Sequence, residues 1–547
     1  MKILDLVRKE SGRQQRDIAI TSSISGIANA AVLAIINVAS QQIGDESASL
    51  RYLLMFVVAI FLYVYCLRFT FNRMTQIFEN VVQHIRHRLV RKIRNTELDV
   101  LDSIGESTVY NRLTQETAII SQFQRLLTAS LQAAVMVTFA LIYIAFLSIH
   151  AFLITVVLVA GGIFVYMTTR QQVVTYSRLT TRKEVEYFDS VTDLLDGFKE
   201  VKLSEQRGTD LLSDNDQIAA ELKELKQKTS SLYDANYIFS QCFFYILLGA
   251  IVFVLPRLVP TYSEVITEVA TSILFIIGPL STVVSALPAI SQANVAAENI
   301  YELEQQLDQH QAGEERSRSV HPRRDFERIA FDAVEFSYRD ESSNQPFSVG
   351  PLSLEIGRGE FVFVIGGNGS GKSTLLKLLT TLYFPERGQI RIDGQAVTRE
   401  NAPNYRELFS VIFADFHLFQ KLYGLRHIDE QAVFQLLAQL GLENKTSYED
   451  GAFTNIELST GQRKRLALLV TLLEDRPIYI FDEWAAEQDP EFRRYFYEEL
   501  LNNLKARGKT IIAVTHDDRY FDIADRVVKM NYGKIEFDRP SAEIGRL

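Results

Sequence analysis

The run Gly366-Gly367-Asn368-Gly369-Ser370-Gly371-Lys372-Ser373-Thr374 follows directly on the apolar stretch Phe361–Ile365. Glycines let the backbone curl so that successive N–H groups converge on an anion. An apolar strand, a glycine loop, Lys-Ser and the apolar helical stretch Leu375–Leu379, in that order, make a cradle for nucleotide phosphates at a helix N-terminus. In such a cradle Lys372 reaches the β- and γ-phosphates and the Ser373 hydroxyl ligates Mg²⁺. A second apolar run, Ile478–Phe481, ends in Asp482-Glu483. A carboxylate at a strand end beside a phosphate loop can hold Mg²⁺ through water, and Glu483 next to it is placed to polarise an attacking water as general base. His516 closes the strand-like Ala513-Val-Thr-His run and is read as a γ-phosphate contact. Leu458-Ser459-Thr460-Gly461-Gln462 opens a helix rich in Arg and Leu. Its hydroxyls are ordinary helix caps, and its free N–H groups are also an anion site.

These groups need a scaffold, and the second half of the chain reads as one. Short apolar strands are expected at Ile329–Tyr338, Leu352–Ile356, Phe361–Ile365, Ile390–Ile392, Ser410–Phe413, Ile478–Phe481 and Thr510–Val514, alternating with helical patterns. That alternation signals an α/β domain, expected over residues 326–547. A polar and charged linker is expected at 309–325.

The first half, residues 1–308, is different in kind. The 547-residue chain is 47% hydrophobic, with the apolar residues concentrated before position 300. Six runs of about 20 residues are long enough to span a bilayer: Ile18–Ile43, Tyr52–Phe71, Thr128–Ile149, Ala151–Thr169, Ala235–Leu255 and Val265–Ile290. The third and fourth are broken only around Ser148-Ile149-His150, which predicts a tight hairpin, and Gly278-Pro279 predicts a kink in the last. Lys and Arg concentrate before the first span, between spans two and three (Arg73 to Arg125) and between spans four and five (Arg170 to Lys223). This bias puts both termini and the two long loops in the cytoplasm. No removable signal peptide is expected. The long loops carry helical apolar spacing and read as extensions of the membrane helices, each with a polar turn at its tip, Asp102–Gly105 and Asp196-Gly197. Either tip could press on a cytoplasmic domain.

Composition excludes other classes. A net charge of −10 offers no basic surface for nucleic acid, and the basic loops are explained by topology. Cys66 and Cys242 both fall in spans and suggest neither a disulfide framework nor a metal site. Charge is scarce inside the spans, which argues against an ion-coupled carrier. Tyrosines such as Tyr63, Tyr143 and Tyr245, with Asn29 and Asn37, could line an amphipathic cavity, and the tyrosines equally suit the belts at the membrane–water interfaces.

The ordered set of motifs resembles an ABC transporter nucleotide-binding domain. Residues 366–374 match its Walker A motif, 458–462 its signature, 478–483 its Walker B motif, Asp489 its D-loop and His516 its switch histidine. Tyr338 matches the aromatic residue that stacks on adenine. Six spans in front of one such domain resemble a half-size ABC exporter. The wording Phe347-Ser-Val-Gly-Pro351, Ile365–Thr374 and Asp482–Pro490 is similar to the bacterial cyclic-peptide and siderophore exporters of the pyoverdine, syringomycin and lasso-peptide microcin types.

The resemblance implies an α-helical six-span transmembrane domain with long cytoplasmic helical extensions, followed by an α/β P-loop ABC nucleotide-binding domain, in the bacterial inner membrane. It implies an ATP hydrolase coupled to export of a peptide or peptide-like siderophore, with ATP and Mg²⁺ as cofactors. Catalytic roles fall to Glu483, His516, Asp482 and Lys372, metal ligation to Ser373 and Asp482, and nucleotide contact to Tyr338, residues 366–374 and Ser459, Thr460, Gly461 and Gln462. A second copy of the chain completes each site, and outer-membrane export components are further implied partners. Multidrug or lipid export, siderophore import and a non-transporting ATPase sensor are the alternatives. No peptidase segment is read ahead of the spans, so leader cleavage is not expected. The sequence departs from the family pattern twice. Thr460 stands where the signature has glycine, and Ala414 stands where the Q-loop has the glutamine that touches Mg²⁺. Asp415 is the candidate substitute ligand.

Overall fold

The computed structural model describes residues 14–41, 46–258, 263–308, 325–338, 347–425 and 428–546. The expected linker therefore lies, but for Asp325, outside the described residues, as do the basic residues before position 14. Two compact units emerge: Met1–Val90 with Ser107–Glu304, and Arg91–Glu106 with Gln305–Leu547.

The first unit is helical. Its long helices are α1 (Gln14–Gln41), α2 (Glu46–Arg94, whose last turn belongs to the second unit), α4 (Thr117–Leu147), α5 (Ile149–Asp196), α6 (Glu205–Gly249) and α7 (Ser263–Asp308), while α3 (Leu98–Ile104) lies in the second unit. The 49 residues of α2 extend about 74 Å at 1.5 Å per residue, far beyond a bilayer core of about 30 Å. The expected hairpin forms at Ser148, whose side chain accepts from the Ala151 N–H and caps α5. Helix α7 continues through Pro279 and Pro288.

Among the described residues four helices are long and apolar enough to cross a membrane: Leu50–Arg94, Glu106–Leu147, Glu205–Arg257 and Ile266–Asp308. The other two expected spans fall on α1 and α5, whose apolar stretches are shorter, Ser23–Ala39 and Ile149–Gly162. Phe61, Phe146, Val157 and Phe253 are exposed on these helices, a surface that lipid accommodates and water does not. Below the apolar zone the surface changes to ion pairs, and Lys183–Glu221 (2.6 Å) and Lys226–Glu184 (2.7 Å) lace α5 to α6.

The second unit is built on two sheets. One is antiparallel, in the order β2 (Ser348–Gly357), β1 (Arg328–Ser337), β4 (Arg387–Ile392), β5 (Gln395–Ala396). The other has the order β12 (Lys534–Pro540), β11 (Arg526–Asn531), β3 (Phe361–Ile365), β10 (Thr510–Val514), β9 (Ile478–Asp482), β6 (Phe409–Ile412), and is parallel from β11 to β6. A short hairpin, β7 (Tyr448–Glu449) and β8 (Ala452–Phe453), stands apart.

The central strands are buried on both faces, and the period of two sorts their side chains. Phe361, Phe363, Tyr479, Phe481, Ile511 and Ala513 enter one core with Leu466, Leu468 and Leu469 of α9 (Thr460–Glu474). Val362, Val364, Ile478, Ile480, Ile512 and Val514 enter the other with Leu375, Leu376, Leu378 and Leu379 of α8 (Lys372–Leu379). At about 1.5–3 kcal/mol per fully buried aliphatic or aromatic side chain, these two layers fix the strand register and with it the loops at the strand ends.

The tip expected to be a polar turn at Asp102–Gly105 is instead the end of helix α3, terminated by Gly105 at φ 81°. Tertiary packing accounts for the difference, since Val100 is buried and Leu98 packs on the core that holds α8. The second tip is an interruption, α5 ending at Asp196 with Gly197 as its cap.

Candidate functional site

Parallel strands deliver their carboxyl ends to one edge of the sheet. There β3 runs into Gly366–Thr374, β9 ends at Asp482 and β10 ends at Val514, just before His516. Val514 pairs with Asp482 on one side and with Val364 on the other, so the phosphate loop, the carboxylates and the histidine meet without any long-range loop having to find them.

The loop is tightly constrained. Gly366 adopts φ 149°, and a Cβ there would come within 2.3 Å of the Met530 carbonyl oxygen. Lys372 is buried at 6% exposure, and its ammonium donates to the Gly366 and Gly367 carbonyls at 3.0 and 3.1 Å. The Ser373 hydroxyl donates to Asp482 at 3.0 Å. Asp482 is itself buried. Burial, and then the neighbouring Glu483 carboxylate, push its carboxyl above the usual aspartate range, while Ser373 and the Ala414 N–H pull it back. Ser370 Oγ is buried and unpartnered within the loop. An orphaned hydroxyl, a serine and a carboxylate are hard oxygen donors that suit phosphate-bound Mg²⁺. Among the described residues no group of three His, Cys, Asp or Glu side chains could hold a metal by protein ligands alone.

Glu483 follows in the left-handed region, at φ 48° and ψ 32°. A non-glycine residue there costs about 1–3 kcal/mol and persists where its surroundings over-determine it. Its carboxylate lies 3.0 Å from His516 Nε2 and 3.6 Å from Lys372 Nζ. Chemically, the edge offers an ammonium for phosphate oxygens, an oxygen pair for a hard cation, and a carboxylate–imidazole pair that can handle a proton of water.

Tyr338 joins this group through its hydroxyl, 2.9 Å from Thr374 Oγ1. Its ring meets Phe336 and Tyr383 edge-on. No local pattern around Tyr383 marks its role. Its hydroxyl donates to Asp102 of α3 at 2.7 Å, and burial with that carboxylate pushes the phenol well above its ordinary range. Nearby Arg406 bonds the buried Glu97 at 2.7 Å. The α3 tip is thus fastened within two side chains of Tyr338.

Ser459–Gln462 stands apart from this group. Ser459 and Gln462 form a capping box at the start of α9, so the ordinary capping role is real. Ser459 and Thr460 are exposed, and among the described residues no hydrogen bond joins the four to the phosphate loop. Asp489 caps the helix after β9, and the Phe492 N–H, then Arg465, hold its carboxyl below the usual range. Asp415 is exposed; at this bend the Ala414 N–H is what meets Asp482.

Known proteins share this design. A family description, ABC transporter, matches residues 349–486. The ATP-binding protein SyrD of Pseudomonas syringae pv. syringae is 34% identical over 546 residues, covering 96% of this chain and 94% of that protein. The ATP-dependent lipid A-core flippase of Alkalilimnicola ehrlichii is 30% identical over 280 residues, covering 48% of this chain and 45% of that one. A solved bacterial Atm1-family ABC exporter with ATP bound shares the fold at a TM-score of 0.80 and 18% identity, over 98% of this chain and 96% of that chain. Likeness to SyrD along nearly the whole length, together with the strand-end site and the helical first unit, makes this chain a member of the ABC transporter family, a half-size exporter of the type IV fold.

Proposed function

We propose that the chain exports a peptide, cyclic or lasso, or a peptide-like siderophore, across the bacterial inner membrane as a homodimer with six spans per subunit. The observation that carries the ATP-driven part is the Glu483–His516 pair beside Lys372, at the same sheet edge as Ser373–Asp482. The peptide part rests on the resemblance of Phe347–Pro351, Ile365–Thr374 and Asp482–Pro490 to peptide and siderophore exporters, and on full-length similarity to SyrD.

In this reading residues 1–308 form the membrane domain and 326–547 the nucleotide-binding domain. Tyr338 stacks on adenine, while residues 366–374 and Lys372 hold the phosphates. Ser373 and Asp482 hold Mg²⁺, which when bound neutralises phosphate charge and polarises the bond that breaks. Glu483 takes the proton of the attacking water, and His516 orients Glu483 and contacts the γ-phosphate. The exposed Ser459–Gln462 turn serves the ATP of the second subunit, which explains why it bonds to nothing in its own phosphate loop. The α3 tip, held by Tyr383 and Arg406, passes domain closure toward the membrane helices, and the Asp196-Gly197 tip does the same.

Inverted membrane vesicles test the transport claim. ATP-dependent accumulation of a cyclic or lasso peptide inside them, absent from the Lys372→Ala protein, is the expected result. Peptide-stimulated ATPase without accumulation would instead identify a sensor. Asp415 is proposed to reach Mg²⁺ through water in place of the missing glutamine. Asp415→Ala should then raise the Mg²⁺ needed for half-maximal ATPase by roughly tenfold. An unchanged Mg²⁺ requirement and turnover would remove Asp415 from the site.

A further inference from the structure

Lys464 is a buried cation on a helix whose neighbouring leucines enter a hydrophobic core. It is 4% exposed and lies on α9 between Leu466 and the Ser459–Gln462 turn. A buried ammonium is disfavoured unless it finds specific partners. Here the Nζ donates to the main-chain carbonyl of Glu483 at 3.1 Å, and the half-exposed Glu487 carboxylate is farther off at 3.6 Å. The contact is returned, since the Trp484 indole N–H donates to the Lys464 carbonyl at 2.9 Å. Trp484 is 1% exposed and stacks on Phe496 at 4.4 Å, so it has little room to shift. Glu483 and Trp484 are thereby tied to α9 from both sides of one peptide bond.

That peptide follows the left-handed residue of the site. Its conformation needs enforcement. On the amino side the Glu483 N–H reaches the Val514 carbonyl only at 3.3 Å. On the carboxyl side the Glu483 carbonyl accepts from the Ala486 N–H at 3.3 Å and from Lys464 at 3.1 Å, and the charge-assisted bond from Lys464 is the stronger of the two. We propose that Lys464 is a positioning residue for the reaction, holding the Glu483 backbone in the turn that aims its carboxylate at His516 and the phosphate loop. The inference rests on the reading of Glu483 as the base.

The test is a double-mutant cycle on the full-length protein, with single-turnover ATP hydrolysis as the readout. Lys464→Met keeps an unbranched side chain one atom shorter and removes the donor. It should lower kcat by about 10–100-fold with KM for ATP within about threefold, the pattern of a misplaced reacting group. In a Glu483→Gln background the same substitution should cost less than about twofold, because there is no base left to aim. Trp484→Phe keeps an aromatic ring against Phe496 but removes the indole N–H together with the five-membered ring, and should show a milder loss with the same dependence on Glu483. It decides the question if Lys464→Met does not fold. Equal fractional losses in both backgrounds, or a kcat within twofold of the parent, would overturn the proposal. Full activity of Glu483→Gln alone would instead overturn the assignment of the base.

Discussion

Glu483→Gln is expected to leave ATP binding intact and to lower hydrolysis by about 10²–10³-fold, or about 2.7–4 kcal/mol of barrier. The substitution changes almost nothing except the ability to accept a proton. Glutamine has the same shape and meets the same left-handed backbone requirement as glutamate at φ 48°. Its amide can still hydrogen-bond His516, now 3.0 Å from the carboxylate. It also removes a negative charge 3.6 Å from the Lys372 ammonium, so the phosphates meet a more positive site and nucleotide affinity should hold or rise. Phosphate release under saturating MgATP, set beside the affinity for a fluorescent nucleotide, separates the two quantities. A variant that hydrolyses ATP within twofold of the parent would remove Glu483 from the role of base.

How much of this was legible in the sequence depends on whether the signal was local. Phe361–Ile365, Ile478–Phe481 and Thr510–Val514 read as strands because each is a short apolar run, and the structure pairs all three in one parallel sheet. Once they are parallel, the residues that end them share an edge, so the order of motifs along the chain translates directly into a neighbourhood. The membrane helices were legible for the same reason, most strongly in the four with long apolar stretches. Non-local features were not. Tyr383 lies 281 positions from Asp102 and Arg406 lies 309 from Glu97, and neither pair leaves a trace in local periodicity. Asp102–Gly105 reads as a polar turn because Asp102, Ser103 and Gly105 dominate it, whereas the helix Leu98–Ile104 that ends there is held by Leu98 and Val100, whose burial comes from a core that the local sequence does not contain. Lys464 is hidden in the run Arg463-Lys464-Arg465, where three adjacent cations give no sign of which one turns inward. Its partners Glu483 and Trp484, about twenty positions on, show that the middle member is internal.

Lys372→Ala attacks the site from the opposite side and should fail in a different way. The Lys372 ammonium is nearly enclosed and already faces inward, held by two loop carbonyls and near Glu483. In the proposed reading it exchanges those contacts for the β- and γ-phosphates, so its removal deletes hydrogen bonds to a charged ligand. Each of these is worth about 1.5–3 kcal/mol. Two of them correspond to a loss of nucleotide affinity of roughly 10²–10⁴-fold. Deleting the cation also leaves Glu483 facing the phosphates without its nearest compensating charge, which adds to the loss. The kinetic signature therefore inverts that of Glu483→Gln: half-saturation by ATP moves up steeply, whereas Glu483→Gln leaves it in place and stops turnover. The short apolar helix behind the loop stays anchored through Leu375, Leu376, Leu378 and Leu379, so the thermal midpoint should fall only modestly. If titration shows nucleotide affinity within threefold of the parent while the protein remains folded, Lys372 does not hold the phosphates, and the loop at 366–374 is a structural turn.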